Sequence, residues 1–318
     1  MRSVTLTQLG AFVLVARLGS VQAAASTLGV SEPAVSQALS ALRQFYGDQL
    51  IARSSSGMRL TPGGTRLLGI ASQMVALGAE AEAAVRAAKG APDQLRLVAT
   101  TAISEFVINP LVESFVQHTS NTIEASAGVA ASQEMPVLVA NRLADVAIGP
   151  YLATDAALGL VSEPVFRSQL VAVTGAAQRT HGNPASWPWL VDAAGTDPNS
   201  DTSRMLRRLS VEESQVRVFP SQTAAWEAAA AGGGVAAATA HLVAGRLRRG
   251  ELRLVDTKAT PMESNWFVTT LRSDRRPTAA TSFLHFLGTP RGMQTMRAPG
   301  AGVPPSRFRP PVYVTIWS

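Results

Sequence analysis

The chain has 318 residues and a mass of 33.3 kDa, more than a single hydrophobic core usually organises, so two or more domains are expected. Its 46% hydrophobic and 16% charged residues are those of a globular protein, and zero cysteines exclude disulfides, a thiolate nucleophile and Cys-ligated metal centres. Net charge is +6, and four of those positive charges fall in residues 1–66, where six arginines face only Glu32 and Asp48. Four scattered histidines give no metal-ligand spacing, so neither a metal nor a cofactor is expected. No apolar run is long enough to span a bilayer, and Met1-Arg2-Ser3 leads directly into an amphipathic pattern; the expectation is a soluble, cytoplasmic protein without a membrane partner.

From Thr5 to Leu18, apolar residues at Leu6, Leu9, Phe12, Val13 and Ala16 predict a helix stopped by Gly19. Ser20 is placed to cap a second helix reaching about Leu28, and Gly29-Val30 turns the chain. Ser31 then caps a third helix with Pro33 in its first turn. That helix has Val35, Ala38, Leu39 and Leu42 on one side, and Pro33, Ser36, Gln37 and Ser40 on the other. Gln49–Arg53 and Met58–Leu60, flanking Ser54-Ser55-Ser56-Gly57, predict a short hairpin with a polar tip.

Thr61-Pro62 opens a long helix over 62–89, about 42 Å at 1.5 Å per residue. Its stripe of Leu67, Ile70, Met74, Leu77, Ala81, Ala84 and Ala88 alternates spacings of three and four, as in a seam between two long helices. Packing on the chain's own downstream domain is the alternative. A dimer seam is preferred, because the preceding module is too small to cover the stripe.

Beyond Gln94 the pattern alternates. Strands are predicted at Leu95–Ala99, Thr122–Ala127, Asp145–Gly149, Leu170–Thr174, Trp189–Val191, Gln215–Phe219, Val235–Ala238 and Trp266–Leu271. Helices are predicted near Ser104–Gln117, Gln133–Asn141, Thr202–Leu209, Thr223–Ala231 and Ala279–Leu287. This order predicts an α/β region with a mainly parallel sheet. Val312–Trp317 reads as an added strand or an interface at the end of the chain.

Ala25, Gly29 and Val35 have the spacing of a helix-turn-helix: a small residue where two helices touch, a glycine in the turn, and a branched side chain packing the second helix on the first. The polar side of the second helix then faces a duplex, where Gln37 can pair with an adenine edge and Ser36 and Ser40 can reach bases or phosphates. Arg53 and Arg59, on the hairpin, suit phosphate or minor-groove contact. Enzyme signatures are missing: the sequence contains no G-x-S-x-G, P-loop or H-E-x-x-H. Gly232-Gly233-Gly234 lacks a dinucleotide-binding register and reads as close backbone packing.

Residues 6–68 resemble the N-terminal module of the LysR-type transcriptional regulators. The matching residues include Leu9, Phe12, Val15-Ala16, Gly19-Ser20, Ala23-Ala24-Ala25, Leu28, Val30-Ser31, Pro33-Ala34-Val35-Ser36, Leu39, Leu42, Gly47, Leu50, Arg53 and Leu60-Thr61-Pro62-Gly63-Gly64. Arg43 stands where the family usually has Glu, and Glu32 and Gln37 where Gln and Arg are frequent. Glu32 repels phosphates but can accept from a cytosine amino group. Further on, Leu138–Gly149, ending Asp145-Val146-Ala147-Ile148-Gly149, and Ala231-Gly232-Gly233-Gly234-Val235-Ala236 resemble later segments of the family.

The resemblance implies a winged helix-turn-helix over 1–61, a linker helix over 62–90, and a periplasmic-binding-protein-like effector domain over 91–318. Lobe I would take about 93–168 and 268–300, and lobe II about 169–267. Implied partners are double-stranded DNA, with Ser31, Glu32 and Pro33 joining the contact residues above, a homodimer or homotetramer, and a small molecule held between the lobes. Candidate effector contacts are Thr100, Thr101, Ser104, Gly128, Thr196, Ser221, Gln222 and Thr223, since helix-start amides and hydroxyls suit a carboxylate or other anion. Each hydroxyl can instead serve as an N-cap. The rivals are a solute-binding or catalytic α/β protein with an accessory helical domain, and a regulator whose crevice is filled by its own side chains.

Overall fold

The computed structural model describes residues 3–54, 57–152 and 158–298. Three helices open the chain: α1 (Leu6–Leu18), α2 (Val21–Leu28) and α3 (Glu32–Tyr46). Thr5 and Gln8 form a reciprocal capping box on α1, and Gly19, Gly29 and Gly47 end the three helices with positive φ, which glycine adopts without strain. Leu9, Phe12, Ala25, Val35, Leu39 and Leu42 form the core beneath them. A hairpin of β1 (Ile51–Ser54) and β2 (Gly57–Leu60) follows, pairing Ile51 with Leu60 and Arg53 with Met58.

The long helix α4 (Pro62–Ala88) packs Leu68, Ala71 and Val75 into the same core. Thr61 starts it: its hydroxyl accepts from the Gly64 amide at 2.9 Å and donates to Asp48 Oδ1 at 2.7 Å. Gly64 is required there because a Cβ would overlap the Leu50 carbonyl. The Leu60–Gly64 segment is thus a joint locking hairpin to helix.

Lobe I is a five-stranded sheet in the order β4-β3-β5-β13-β6, from β3 (Asp93–Ala99), β4 (Ile123–Val129), β5 (Val146–Gly149), β6 (Leu160–Phe166) and the returning β13 (Trp266–Leu271). Between β3 and β4 runs one helical stretch, α5 (Thr101–Ile103), a π-turn at Ser104–Ile108, and α6 (Asn109–His118); α7 (Met135–Ala140) precedes β5. Asp145 accepts from Arg96 through both carboxylate oxygens, at 2.8 and 2.9 Å, and from the Arg96 amide at 2.9 Å, fixing β5 beside β3.

Lobe II is built on β7 (Gln169–Gly175), β8 (Trp189–Asp192), β9 (Val216–Phe219), β10 (Val235–Thr239) and β11 (Leu252–Val255), with β12 (Met262–Glu263) pairing beside β7. Helices α8 (Asp201–Arg208), α9 (Gln222–Ala230) and α10 (Ala240–Arg248) connect these strands. After β13, α11 (Thr278–Leu287) and α12 (Pro290–Arg297) return to lobe I, where Phe283 and Phe286 pack on Phe115.

The expectation of a mainly parallel sheet is corrected to mixed sheets. The pairs β3·β4, β3·β5, β8·β9 and β10·β8 are parallel, but β13 runs antiparallel to β5 and β6, and β7 antiparallel to β10, β11 and β12. The chain crosses between lobes at β6–β7 and again at β12–β13, and each incoming strand enters its new sheet reversed. Gly232-Gly233-Gly234 is indeed a close-packing turn: a Cβ on Gly234 would overlap the Pro188 carbonyl. The tail beyond 298, with Val312–Trp317, lies outside the described residues.

Candidate nucleic-acid interface and effector crevice

The turn between α2 and α3 is drawn tight by the Val30 amide, which donates to Ala25 O at 3.1 Å, while Ala25 and Val35 are both buried. Ser31 caps α3 by accepting from the Ala34 amide at 3.4 Å. With Val35, Leu39 and Leu42 pointing inward, Ser31, Glu32, Pro33, Ser36, Gln37 and Ser40 are all exposed, together on the outer side of α3. Arg59 is exposed on the hairpin; the Arg53 backbone lies opposite Met58, and its side chain is outside what is described. Arg43 ties the end of α3 to the approach to the hairpin, its Nε donating to Gln49 O at 3.0 Å. The Leu50 amide and the Thr61 hydroxyl together hold the Asp48 carboxyl below its ordinary pKa.

Along α4, Ile70, Met74, Leu77 and Ala81 are exposed, with Leu77 at 61%, and Leu67 is half-buried against the module core. Leu68, Ala71 and Val75 occupy the opposite face, so the chain's own core covers part of Leu67 and leaves Ile70, Met74, Leu77 and Ala81 exposed. The other end of α4 is tied to lobe I by an ion pair between Glu80 and Arg142, whose guanidinium also donates to Arg275 O at 3.0 Å.

Two open volumes lie between the lobes. One, of about 650 Å³, is lined by Thr100, Thr101 and the 129–134 segment of lobe I and by Ala194, Thr196 and Asp197 of lobe II; its third wall is the end of α1, with Arg17, and the outer face of α2, with Ser20, Gln22, Ser26 and Thr27. Thr100 and Thr101 therefore face the crevice, and Thr196 borders it while its hydroxyl donates to Ala193 O at 2.7 Å. Ser104 sits in the π-turn, and Gly128 lies inside β4 opposite Val98; neither lines this volume.

Ser221, Gln222 and Thr223 are buried at the start of α9. Ser221 caps that helix by accepting from the Ala224 amide at 3.1 Å. The Thr223 amide donates to Glu105 Oε1 of lobe I at 3.3 Å. Glu105 is only 7% exposed; burial raises its pKa, against the lowering effect of the Thr223 and Gln222 groups, and the charge of Asp192 adds to the rise. Asp192 is likewise raised by burial, although it accepts from the Gly195 amide at 3.1 Å. The helix start that the sequence offers to an anion thus already holds a carboxylate of the protein's own.

Comparison with known proteins agrees with this architecture. Residues 6–65 match the family model described as bacterial regulatory helix-turn-helix protein, lysR family, and residues 88–289 match the LysR substrate binding domain. An HTH-type transcriptional regulator of Mycobacterium tuberculosis (strain ATCC 25618 / H37Rv) is 33% identical over 98% of this chain and 99% of its own length. The HTH-type transcriptional regulator CfxR of Cupriavidus necator is 27% identical over 90% of this chain and 92% of its own. Among solved structures, full-length OxyR of Pseudomonas aeruginosa shares the fold with a TM-score of 0.58 at 17% identity, covering 95% of this chain and 99% of that one. Among the described residues no helix is long and apolar enough to cross a membrane. The three-helix module and hairpin fall within the first family match and the two lobes largely within the second: this chain belongs to the LysR family of DNA-binding transcriptional regulators, which are not enzymes.

Proposed function

We propose that the protein acts in the cytoplasm as a homodimer, or a pair of dimers, that reads a partly palindromic site and changes its grip when a small molecule enters the crevice. The module at 1–61 supplies DNA contact, the helix at 62–90 joins two subunits through Leu67, Ile70, Met74, Leu77 and Ala81, and 91–318 senses. Helix α3 enters the major groove, with Gln37 on an adenine edge, Ser36 and Ser40 beside it, and Glu32 selecting against some neighbours; Arg53 and Arg59 hold the backbone. The observation that carries this reading is the uncovered row of Ser31, Glu32, Ser36, Gln37 and Ser40 on α3 above its buried Val35-Leu39-Leu42 side.

The effector reading rests on the open volume at Thr100 and Thr101, which argues against a crevice filled by side chains. Because α2 forms part of its wall, a ligand there touches the DNA-binding module directly, and unequal affinity for docked and released modules would couple the two sites. Mobility shift on the DNA upstream of its own gene tests the whole. A specific complex that weakens steeply with salt is expected, and Gln37→Ala is expected to cost about 1–3 kcal/mol on that site while sparing nonspecific binding. Equal losses on specific and random duplexes would remove Gln37 from the base contacts.

A further inference from the structure

The start of α9 is taken by Glu105, and the smaller volume sets Glu134 and Asp197 against Arg17, so an excess of positive charge for an anion lies elsewhere in the crevice. It is found on α8. The second open volume, about 890 Å³, adjoins the first through Ser132 and Gln133 and has α8 as one wall. Three exposed arginines of α8 line it, outnumbering the carboxylates of Asp201 and Glu263 on the same walls. Arg204 pairs with Asp201, Arg207 Nη1 donates to Pro198 O at 2.8 Å, and Arg208 has no hydrogen bond or ion pair among the described residues. Arg204 and Arg208 are four residues apart on the same face, an arrangement of like charges that an isolated helix disfavours.

Across the gap, Tyr151 and Phe267 of lobe I meet edge to face with ring centroids 5.3 Å apart, and Tyr151 is 61% exposed. A bare aromatic pair opposite an unpaired guanidinium suits one kind of ligand. The guanidinium fork takes a carboxylate or phosphate, and the rings take a flat apolar body.

We propose that this pocket binds an aryl carboxylate or aryl phosphate, its anionic head on Arg204 and Arg208 and its ring against Tyr151 and Phe267. The proposal rests on the crevice being the effector site, and names the chemistry of what enters it. The test is calorimetric titration of the full chain with phenyl phosphate and with benzoate, using inorganic phosphate and benzyl alcohol as controls. At least one aryl anion is expected to saturate, about tenfold or more tighter than either control. Arg208→Gln is expected to weaken it about tenfold, and Tyr151→Ala to bring it down to the level of inorganic phosphate. Both side chains are exposed, so an unchanged thermal midpoint will verify the fold of each variant. No saturation below about 10 mM, affinity indifferent to Arg208→Gln, or equal affinity for inorganic phosphate overturns the proposal.

Failure of the effector reading would look different. Aryl anions held by the arginines without any change in DNA affinity would leave the pocket standing and remove its sensing role. An effector lost on Thr101→Val but untouched by Arg208→Gln would do the reverse.

Discussion

Two helix starts in this protein share one grammar and have opposite fates. Ser31-Glu32-Pro33-Ala34 and Ser221-Gln222-Thr223-Ala224 each begin with a serine that caps the third residue on, with oxygen–nitrogen distances of 3.4 and 3.1 Å. The first start stands exposed on the surface of the module, and its polar face is free for a duplex. The second is buried, and a carboxylate from 118 residues away lies on its amides. A cap is a local device, visible in four residues; what stands opposite a helix start is decided by how distant elements fold against it.

In the proposed dimer the exposed start is half of a site, so the largest effect expected comes from separating the halves. Leu77→Glu puts a charge into the proposed seam between two copies of α4, at a position already exposed in the single chain, so the subunit itself should fold. An unpaired charge in a buried seam costs on the order of 3–5 kcal/mol, a hundredfold or more in the dimer dissociation constant. Light scattering at micromolar concentration should find single subunits, with specific DNA binding lost in step. An unchanged dimer would place the subunit interface elsewhere, and α3 would then need another partner surface.

The buried start can be turned into an open one. Glu105→Ala removes the carboxylate from the Thr223 amide, and leaving that buried donor unpaired should cost about 1–3 kcal/mol of stability in a denaturant titration. Formate should restore much of the loss by occupying the vacated place, whereas formate should do little for the unaltered chain. Loss without rescue would mean that Glu105 acts through packing alone, and the contrast between the two starts would shrink to a difference in exposure.

The same contrast explains how far the sequence can be read. Helix starts and stops were legible where Ser20, Ser31, Gly19 and Gly29 mark them, because such signals act over three or four residues. The strand Trp266–Leu271 has the residues its pattern predicts. Strand β6 escaped because its Glu163-Pro164 breaks the apolar run, and α10 because its Arg246 and Arg248 hide the small apolar side that packs on the sheet. Strand direction in β7 and β13 depends on the two lobe crossings, which no local pattern encodes. Glu105 did leave a trace: it is the one charge inside Ile103–Ile108, where only Ser104 is otherwise polar, and a lone buried acid calls for a partner. Which partner was not readable, because Thr223 lies in the other lobe.

The smallest effect concerns the place where the lobes are joined. His241, in the first turn of α10, lies against the rings of Phe166 and Trp266, with centroids 4.8 and 5.1 Å away, and its Nδ1 is 3.4 Å from Ser168 Oγ. Phe166 and Trp266 end and begin the strands that border the two crossings. Burial holds the imidazole pKa down, from 6.5 to about 4. A folded pKa below the unfolded one means that the unfolded chain takes the proton first as pH falls. Stability is therefore full above pH 6.5 and erodes between pH 6.5 and about 4. Because the ring is partly exposed, screening reduces the loss to about 1–2 kcal/mol.

His241→Gln should flatten that part of the stability profile. Glu105 and Asp192 act with the opposite sign: their raised pKa values mean that the folded chain binds protons more readily, so their contribution grows as pH falls. The measurement is consequently the difference between the two urea-midpoint profiles, in which the shared carboxylates cancel. A difference that stays constant from pH 7 to pH 4 would show that His241 does not titrate against the rings in the way its burial requires.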